Sequence, residues 1–489
     1  MTKKFKKILF ISTLLGFLIF APILLFYSQG YRFDFNNKRI VQTGGLFFNV
    51  SPNGSKISID EKISRKTSFI FGSSFISGLM PKKYEIKIEK ENYHPWQKTL
   101  EVEEQKVTEC KDIQLFLKNP EFSLLSSGIS DIFIAPNEKE LIIKKQDENG
   151  WRLELFDLGT QESIVLVKEE EFIKKLEIKS DAKPLLQFAE FSNDSKKVLL
   201  KIIIDAEDKY FLIDLLSSQE LIFINTGGKI KNISFEPNNG KELFLIGSNI
   251  EKDNGKKEIE YYDDALFSFN PNREEVLQYI ELPVLSQKIM SYAISNGNII
   301  WMDGAGFLYK GQIKEGKVEL LEILSLKPLL IHEQSNYKII VNNLSQIFIK
   351  EDETLYFLDP EAHMLTRVFA SLKKYQFSPD NKKIALRNEH EIVIIFLEEQ
   401  TEQPQRKKRE KFRLIGISEK LDNLFWLNNH YLIFRADNAI KIIEIDDRDN
   451  PNLIELKTFS EPKIAWLEKQ KSLLILSDNA LYLTKDILK

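Results

Sequence analysis

Tyr375-Gln376-Phe377-Ser378-Pro379-Asp380-Asn381-Lys382-Lys383-Ile384-Ala385-Leu386 reads as a strand, a polar turn and a second strand. Nearly the same phrase stands at Phe191-Ser192-Asn193-Asp194-Ser195-Lys196-Lys197-Val198-Leu199-Leu200, and again at Phe235-Glu236-Pro237-Asn238-Asn239-Gly240-Lys241-Glu242-Leu243-Phe244. Weaker copies begin near Ile134, Ala293, Trp426 and Trp466. A third strand follows each phrase, at Leu153 to Asp157, Tyr210 to Asp214, Leu266 to Phe269, Leu355 to Asp359 and Ile440 to Asp446, and a fourth apolar stretch leads into the next unit. Four short strands recurring about every 40 to 50 residues form the pattern of a propeller blade. One such sheet cannot bury both faces alone and needs a neighbour on each side. Residues 122–489 are therefore expected to form a β-propeller of seven or eight blades. Eight fits the spacing slightly better, with the fifth and last blades degenerate. A two-sheet sandwich would show no repeat at this spacing, and helical periodicity is confined to residues 168–179.

These phrases resemble the repeats of TolB-like and WD40-like propellers, most closely at Phe377-Ser378-Pro379-Asp380, although no blade carries the Trp-Asp ending.

Working back towards the amino terminus, Leu46 to Val50 and Lys56 to Asp60 read as two strands around the turn signal Ser51-Pro52-Asn53-Gly54, a predicted hairpin. Tyr84 to Lys90 alternates strictly and puts Tyr84, Ile86 and Ile88 on one face, and Thr99 to Val102 starts another strand. The run Ser51 to Asp60, with Gly78-Leu79-Met80-Pro81, Tyr84 to Lys90 and Asn92-Tyr93-His94-Pro95-Trp96, resembles the PEGA domain family over residues 43–117. Asn53 and Ser55 replace the Glu and Ala that name that family, and Lys82-Lys83 stands where a Gly is usual. The resemblance implies a small bacterial β domain acting as an adhesive or spacer module.

Ile8 to Tyr27 is an uncharged run of twenty. As a helix it spans roughly 30 Å, the thickness of a bilayer's hydrocarbon core. Lys3, Lys4, Lys6 and Lys7 precede it, and such a cluster stays on the cytoplasmic side while the rest of the chain crosses. A cleaved signal peptide would have a shorter apolar run and a small-x-small site, and Phe26-Tyr27-Ser28-Gln29-Gly30 offers none. The expected order is a cytoplasmic basic tail at 1–7, a single membrane anchor at 8–27, a linker at 28–42, the PEGA-like domain and then the propeller, with the bulk extracytoplasmic. A soluble cytoplasmic propeller would require the first 27 residues to be misread.

Composition bounds the chemistry. The 489 residues are 43% hydrophobic and 29% charged, enough for a large core in more than one domain. A net charge of -4 gives no reason to expect nucleic acid. The bias towards Lys, Asn and Ile points to an AT-rich bacterial genome. A single cysteine, Cys110, excludes an intramolecular disulfide and a cysteine-based zinc cluster.

No Gly-x-Ser-x-Gly elbow, His-Glu-x-x-His helix or Walker loop occurs, and the histidines at 94, 332, 363, 390 and 430 lack metal-ligand spacing. We expect no catalytic, metal or cofactor residues. His94, Tyr93 and Trp96 could stack on sugar, but so few residues must build the small domain's core that packing is the better expectation. The acidic runs Tyr261-Tyr262-Asp263-Asp264 and Asp446-Asp447-Arg448-Asp449-Asn450 lack a calcium-loop frame and read as solvated turns. Arg406-Lys407-Lys408-Arg409-Glu410-Lys411 reads as a solvated, flexible basic insertion, able to touch anionic lipid or wall polymer. The leading expectation is a non-catalytic envelope protein whose PEGA-like stalk presents a propeller to an unidentified protein or glycan. The alternative is an extracytoplasmic hydrolase of polysaccharide with paired carboxylates at the channel mouth.

Overall fold

The computed structural model describes residues 3–488 apart from 36, 149, 178–182, 217–219, 238–239, 241, 253–259, 271–276, 284–287, 296, 333 and 486. Part of the phrase at 235–244, Asn296 and residues 178 and 179 of the expected helix lie outside the described residues.

Helix α1 (Lys3–Ser28) contains the expected span, and none of its apolar window is buried by the rest of the chain. It is long and apolar enough to cross a bilayer. The stretch expected to be a linker forms a separate two-stranded hairpin, β1 (Tyr31–Asp34) with β2 (Arg39–Gln42).

The small domain is a sandwich. One sheet has the order β6-β3-β9 and the other β5-β4-β7-β8, with β3 (Gly44–Ser51), β4 (Lys56–Ile59), β5 (Ile63–Lys66), β6 (Ser73–Leu79), β7 (Lys82–Glu89), β8 (Trp96–Val102) and β9 (Val107–Gln114). The expected hairpin across Ser51-Pro52-Asn53-Gly54 is corrected here. That turn carries the chain from one sheet to the other, so β3 pairs with β6 and β9, and β4 with β5 and β7. The reason lies in the side chains. Leu46, Phe48 and Val50 on β3 and Ile57 and Ile59 on β4 are all buried in one core, which two facing sheets can share and a single hairpin cannot. Gly78 to Pro81 makes a second crossing of the same kind, from β6 to β7. Tyr84, Ile86 and Ile88 point inward as their alternation requires.

The remainder is eight four-stranded antiparallel sheets and, within the third of them, a two-stranded ribbon pairing Ile250–Lys252 with Glu260–Tyr262. Blades 1 to 7 span residues 129–168, 185–223, 229–279, 289–323, 337–369, 374–416 and 421–458. Blade 8 takes its three inner strands from residues 463–484 and its outermost from β10 (Ser123–Ser127), which pairs with Ala480–Thr484. Apolar clusters seal the seam between every consecutive pair of blades, and one further cluster joins Leu474, Leu476 and Leu483 of blade 8 to Ile129, Leu141 and Phe156 of blade 1. The ring is therefore closed. Helix α2 (Glu169–Leu176) lies between blades 1 and 2 and buries Phe172 against Trp151 and Phe211.

The quoted phrases are the turns between the first and second strands. In blade 6 the Ser378 hydroxyl donates to Asp380 and accepts from the Lys383 amide, and Ser192 does the same with Asp194 and Lys197 in blade 2.

Candidate functional site

Each blade presents its first-to-second and third-to-fourth connections on one side of the ring, and its second-to-third turns and inter-blade connections on the other. The small domain sits on the first of these sides, under blades 6 and 7. Lys98 on β8 is the pivot. Its ammonium, with a side chain 0% exposed, meets Glu444 at 2.5 Å and donates to the carbonyls of Asp446 and Asn450. Trp96 Nε1 donates to the other oxygen of Glu444 at 2.7 Å. The Thr99 amide donates to Asp449, and the Gln97 amide to Asn452. From the propeller, Arg448 donates to the carbonyl of Glu109 and to the Cys110 thiol, and is held in place by Asp446. Burial would raise the Asp446 pKa, but the Arg448 guanidinium outweighs it and holds the carboxyl below its ordinary range. Burial also pushes the Cys110 thiol up to about 12, which leaves it unreactive. A cavity of about 60 Å³ remains at this seam, lined in part by Trp96, Cys110, Tyr431 and Arg448.

This geometry corrects two expectations. The acidic run 446–450 is the docking loop for the small domain, not a solvated turn, because its carbonyls accept from the buried Lys98 ammonium, Asp449 accepts from the Thr99 amide and Arg448 donates to the Glu109 carbonyl. The basic run 406–411 is tied down as well. Arg406 pairs with Glu410 and Asp447 with its guanidinium over Phe412, Arg409 meets Asp359 at 2.5 Å and Lys408 meets Glu398 at 3.4 Å. These pairs link the outer connections of blades 5, 6 and 7. Asp264 of the other acidic run is buried with Lys231, Lys288 and Ser248 around it.

The opposite side of the ring carries the channel mouth. Asp422, near the start of blade 7's inner strand, is shared by two guanidinium groups, Arg387 at 3.1 Å and Arg435 at 2.9 Å. Lys374 opens the neighbouring inner strand, its ammonium 6.0 Å from the centre of the Phe425 ring, and Lys338 is second on the inner strand of blade 5. Shielding from water depresses the Lys374 pKa, with Arg387 and Lys338 repelling its proton and Asp422 opposing them. Lys463 of blade 8 bonds Asp131 of blade 1 at 3.1 Å. Glu190, on blade 2's inner strand, has its pKa raised by the same shielding, against the pull of Lys338. Blades 6 and 7 thus set Arg387, Arg435 and Lys374 about Asp422, and blade 5 adds Lys338 within reach of Lys374. The sequence reading missed this set, because its members come from three blades and share no local motif.

Of the aromatic trio, Trp96 belongs to the small domain's core and Tyr93 packs against it, partly buried. Trp96 is buried at the seam, the Tyr93 backbone bridges to Leu117, and the His94 amide donates to the carbonyl of Phe116. Among the other histidines, His332 bonds Glu351 at 2.6 Å and His430 lies 3.4 Å from Asp112. Among the described residues no group of three or more His, Cys, Asp or Glu is placed to hold a metal ion.

Residues 43–114 match the PEGA domain family model. No curated protein matches the chain. Among solved structures it is similar to the Dos1 propeller (8% identity, TM-score 0.46, 75% of this chain and 94% of that one). It is also similar to the Cps50 (Swd1) β-propeller domain of Myceliophteria thermophila (9% identity, TM-score 0.41, 74% and 97%). The assignment of residues 123–484 rests on their own sheet order and closed ring of seams. The chain therefore joins an N-terminal apolar helix to a PEGA domain at residues 43–114 and a β-propeller that closes on the strand immediately after that domain.

Proposed function

We propose that this is a non-catalytic, membrane-anchored protein of the extracytoplasmic side, in which α1 fixes location, the PEGA domain forms a rigid base and the propeller offers its free side to a protein or glycan carrying negative charge. The observation that carries this reading is the buried seam around Lys98 and Glu444. It fixes the PEGA domain against blades 6 and 7 on one side of the ring and leaves the other side, with Lys338, Lys374, Arg387 and Arg435, free. The orientation follows from Lys3, Lys4, Lys6 and Lys7 before the span. Protease treatment of spheroplasts carrying a chain tagged at both ends tests the topology. The propeller should be cut while the amino-terminal tag stays protected, and a propeller cut only after lysis refutes the reading. The binding half is tested by screening wall polymers and surface proteins against the full chain and its Lys338→Glu, Lys374→Glu variant, which should lose the ligand.

A second reading, a polysaccharide hydrolase, draws support from Glu190, whose raised pKa is the property a general acid needs. It requires a second carboxylate roughly 5 to 10 Å away. Asp131 and Asp422 are each engaged by cations. Release of reducing ends that disappears in Glu190→Gln would favour this reading.

A further inference from the structure

The hairpin of β1 and β2 belongs to neither sandwich sheet nor to the ring, and a two-stranded ribbon of four-residue strands is marginal in water by itself. It is nonetheless tied to the end of α1. The Thr43 amide donates to the Gly30 carbonyl at 2.9 Å, Gln42 donates to the Gln29 carbonyl at 3.0 Å, and Arg32 donates to the Tyr27 carbonyl with its guanidinium 3.4 Å from the centre of the Tyr27 ring. Phe26 and Tyr31 meet edge to face at 5.4 Å across the same joint. One end of the hairpin therefore packs on the last turn of the helix and the other bonds to the two residues that follow it.

The two faces of the ribbon differ. Val41 turns inward and is buried, whereas Phe33 and Ile40, directly paired across the strands, share the outward face at 48% and 70% exposed. Phe35, at the turn, is 82% exposed and lies edge-on to Phe33 at 5.0 Å. Lys38 stands at the turn beside these apolar groups, whereas Arg39 lies on the other face, across from Asp34 and 3.9 Å from Glu104. An amphipathic element with exposed aromatic and aliphatic groups on one face and a lysine beside them is the composition that settles at the boundary between lipid headgroups and acyl chains. Tyr27 ends the apolar run, so the base of the hairpin stands at that boundary if α1 spans the bilayer.

We infer that the outward face of this hairpin, Phe33, Phe35 and Ile40, lies in the outer leaflet's headgroup region as a second membrane contact. This sets the angle at which α1 presents the PEGA domain. The inference rests on the anchored reading above, and continuity with the helix end is what selects lipid as the occupant. The other exposed apolar loop, Phe69 to Phe71, packs beside Gly54 at the far end of β3 and is not part of this surface.

The test uses the full chain reconstituted in phosphatidylcholine–phosphatidylglycerol bilayers, with an environment-sensitive fluorophore on Phe35→Cys, on Ile40→Cys or, as a reference, on Gly16→Cys. Native Cys110 is buried and stays unlabelled. Headgroup nitroxide lipids should quench the Phe35 and Ile40 probes by about two-fold or more and deep-chain nitroxides the Gly16 probe, with aqueous iodide ineffective at all three. Quenching at Gly16 with iodide-accessible probes at both Phe35 and Ile40 overturns the inference and leaves the anchor standing. Loss of deep quenching at Gly16 overturns the anchored reading itself. Two probe positions guard against a label that disturbs one site.

Discussion

The seams between blades and the seam between the PEGA domain and the ring are built from opposite chemistry. Between blades 8 and 1 the buried centre of the contact is Leu474, Leu476 and Leu483 against Ile129, Leu141 and Phe156, with polar contacts such as Lys463–Asp131 and Lys469–Pro136 at its two ends. Under blades 6 and 7 it is Lys98, Trp96, Gln97 and Thr99 bonded to Glu444, Asp446, Asp449 and Asn452, beside the apolar contact of Phe116 with Tyr431. Apolar burial is non-directional and supplies stability wherever area is covered, which suits eight repeats whose register the strands already fix. Buried charges work differently. They contribute little net stability, but any other pose would leave an ion unpaired, so they select one orientation. The difference implies that the ring is held by area and the PEGA domain by matching.

That contrast can be broken from either side. The largest effect is expected in the ring. Trp301, fully buried in the seam of blades 3 and 4 and stacked on Tyr309 at 5.3 Å, should cost about 3–5 kcal/mol as Trp301→Ala. Urea unfolding measures it, and a loss under about 1 kcal/mol would contradict an area-held ring. Lys98→Met should come next, since it strands Glu444 without its cation, at about 3–5 kcal/mol of docking. Calorimetry should then resolve a separate PEGA transition. The double variant Lys98→Met, Glu444→Leu should restore most of that loss; if it is as weak as the single variant, the seam is not governed by an unpaired charge.

Acid sharpens the same contrast. Because the Asp446 carboxyl is depressed when folded, its contribution is complete above its ordinary value of 3.8 and is lost as pH falls through the lower folded value. Hydrogen exchange at the Gln97 and Thr99 amides should therefore accelerate below about pH 4 while amides in the blade seams stay protected. Simultaneous loss at both places would mean the seam has no electrostatic character of its own. The smallest effect belongs to the turns. Ser378→Ala and Ser192→Ala should each cost about 1–2 kcal/mol, and by similar amounts, because the two hydroxyls make the same bonds.

The sequence carried the blades wherever this turn chemistry is spelled with Ser-x-Asp. Blade 5 was hard to read because Asn342 does the same work alone, its side-chain oxygen accepting from the Leu344 and Gln346 amides. Asn428 in blade 7 and Asn137 in blade 1 follow that second spelling. The strands of the PEGA domain were legible from alternation, but their partners were not, since Ser51 to Gly54 looks the same whether it closes a hairpin or crosses between sheets. The docking loop at 446–450 was misread because a carboxylate's partner lies some 350 residues away, on β8. Local pattern predicts elements, whereas the channel mouth and the seam arise only when distant segments meet.

The strand that completes blade 8 is the first of the ring to be synthesised and its partner the last. Some 350 residues separate Ser127 from Ala480, so at ordinary synthesis rates Ser123–Ser127 waits about 20–70 s for its neighbour. Throughout that interval the nascent chain holds an open sheet edge beside an already finished PEGA core, and every earlier blade can stack before the circle shuts. Truncation that removes Ala480–Thr484 from the complete ring therefore leaves an unclosed arc with two sticky ends rather than a smaller propeller.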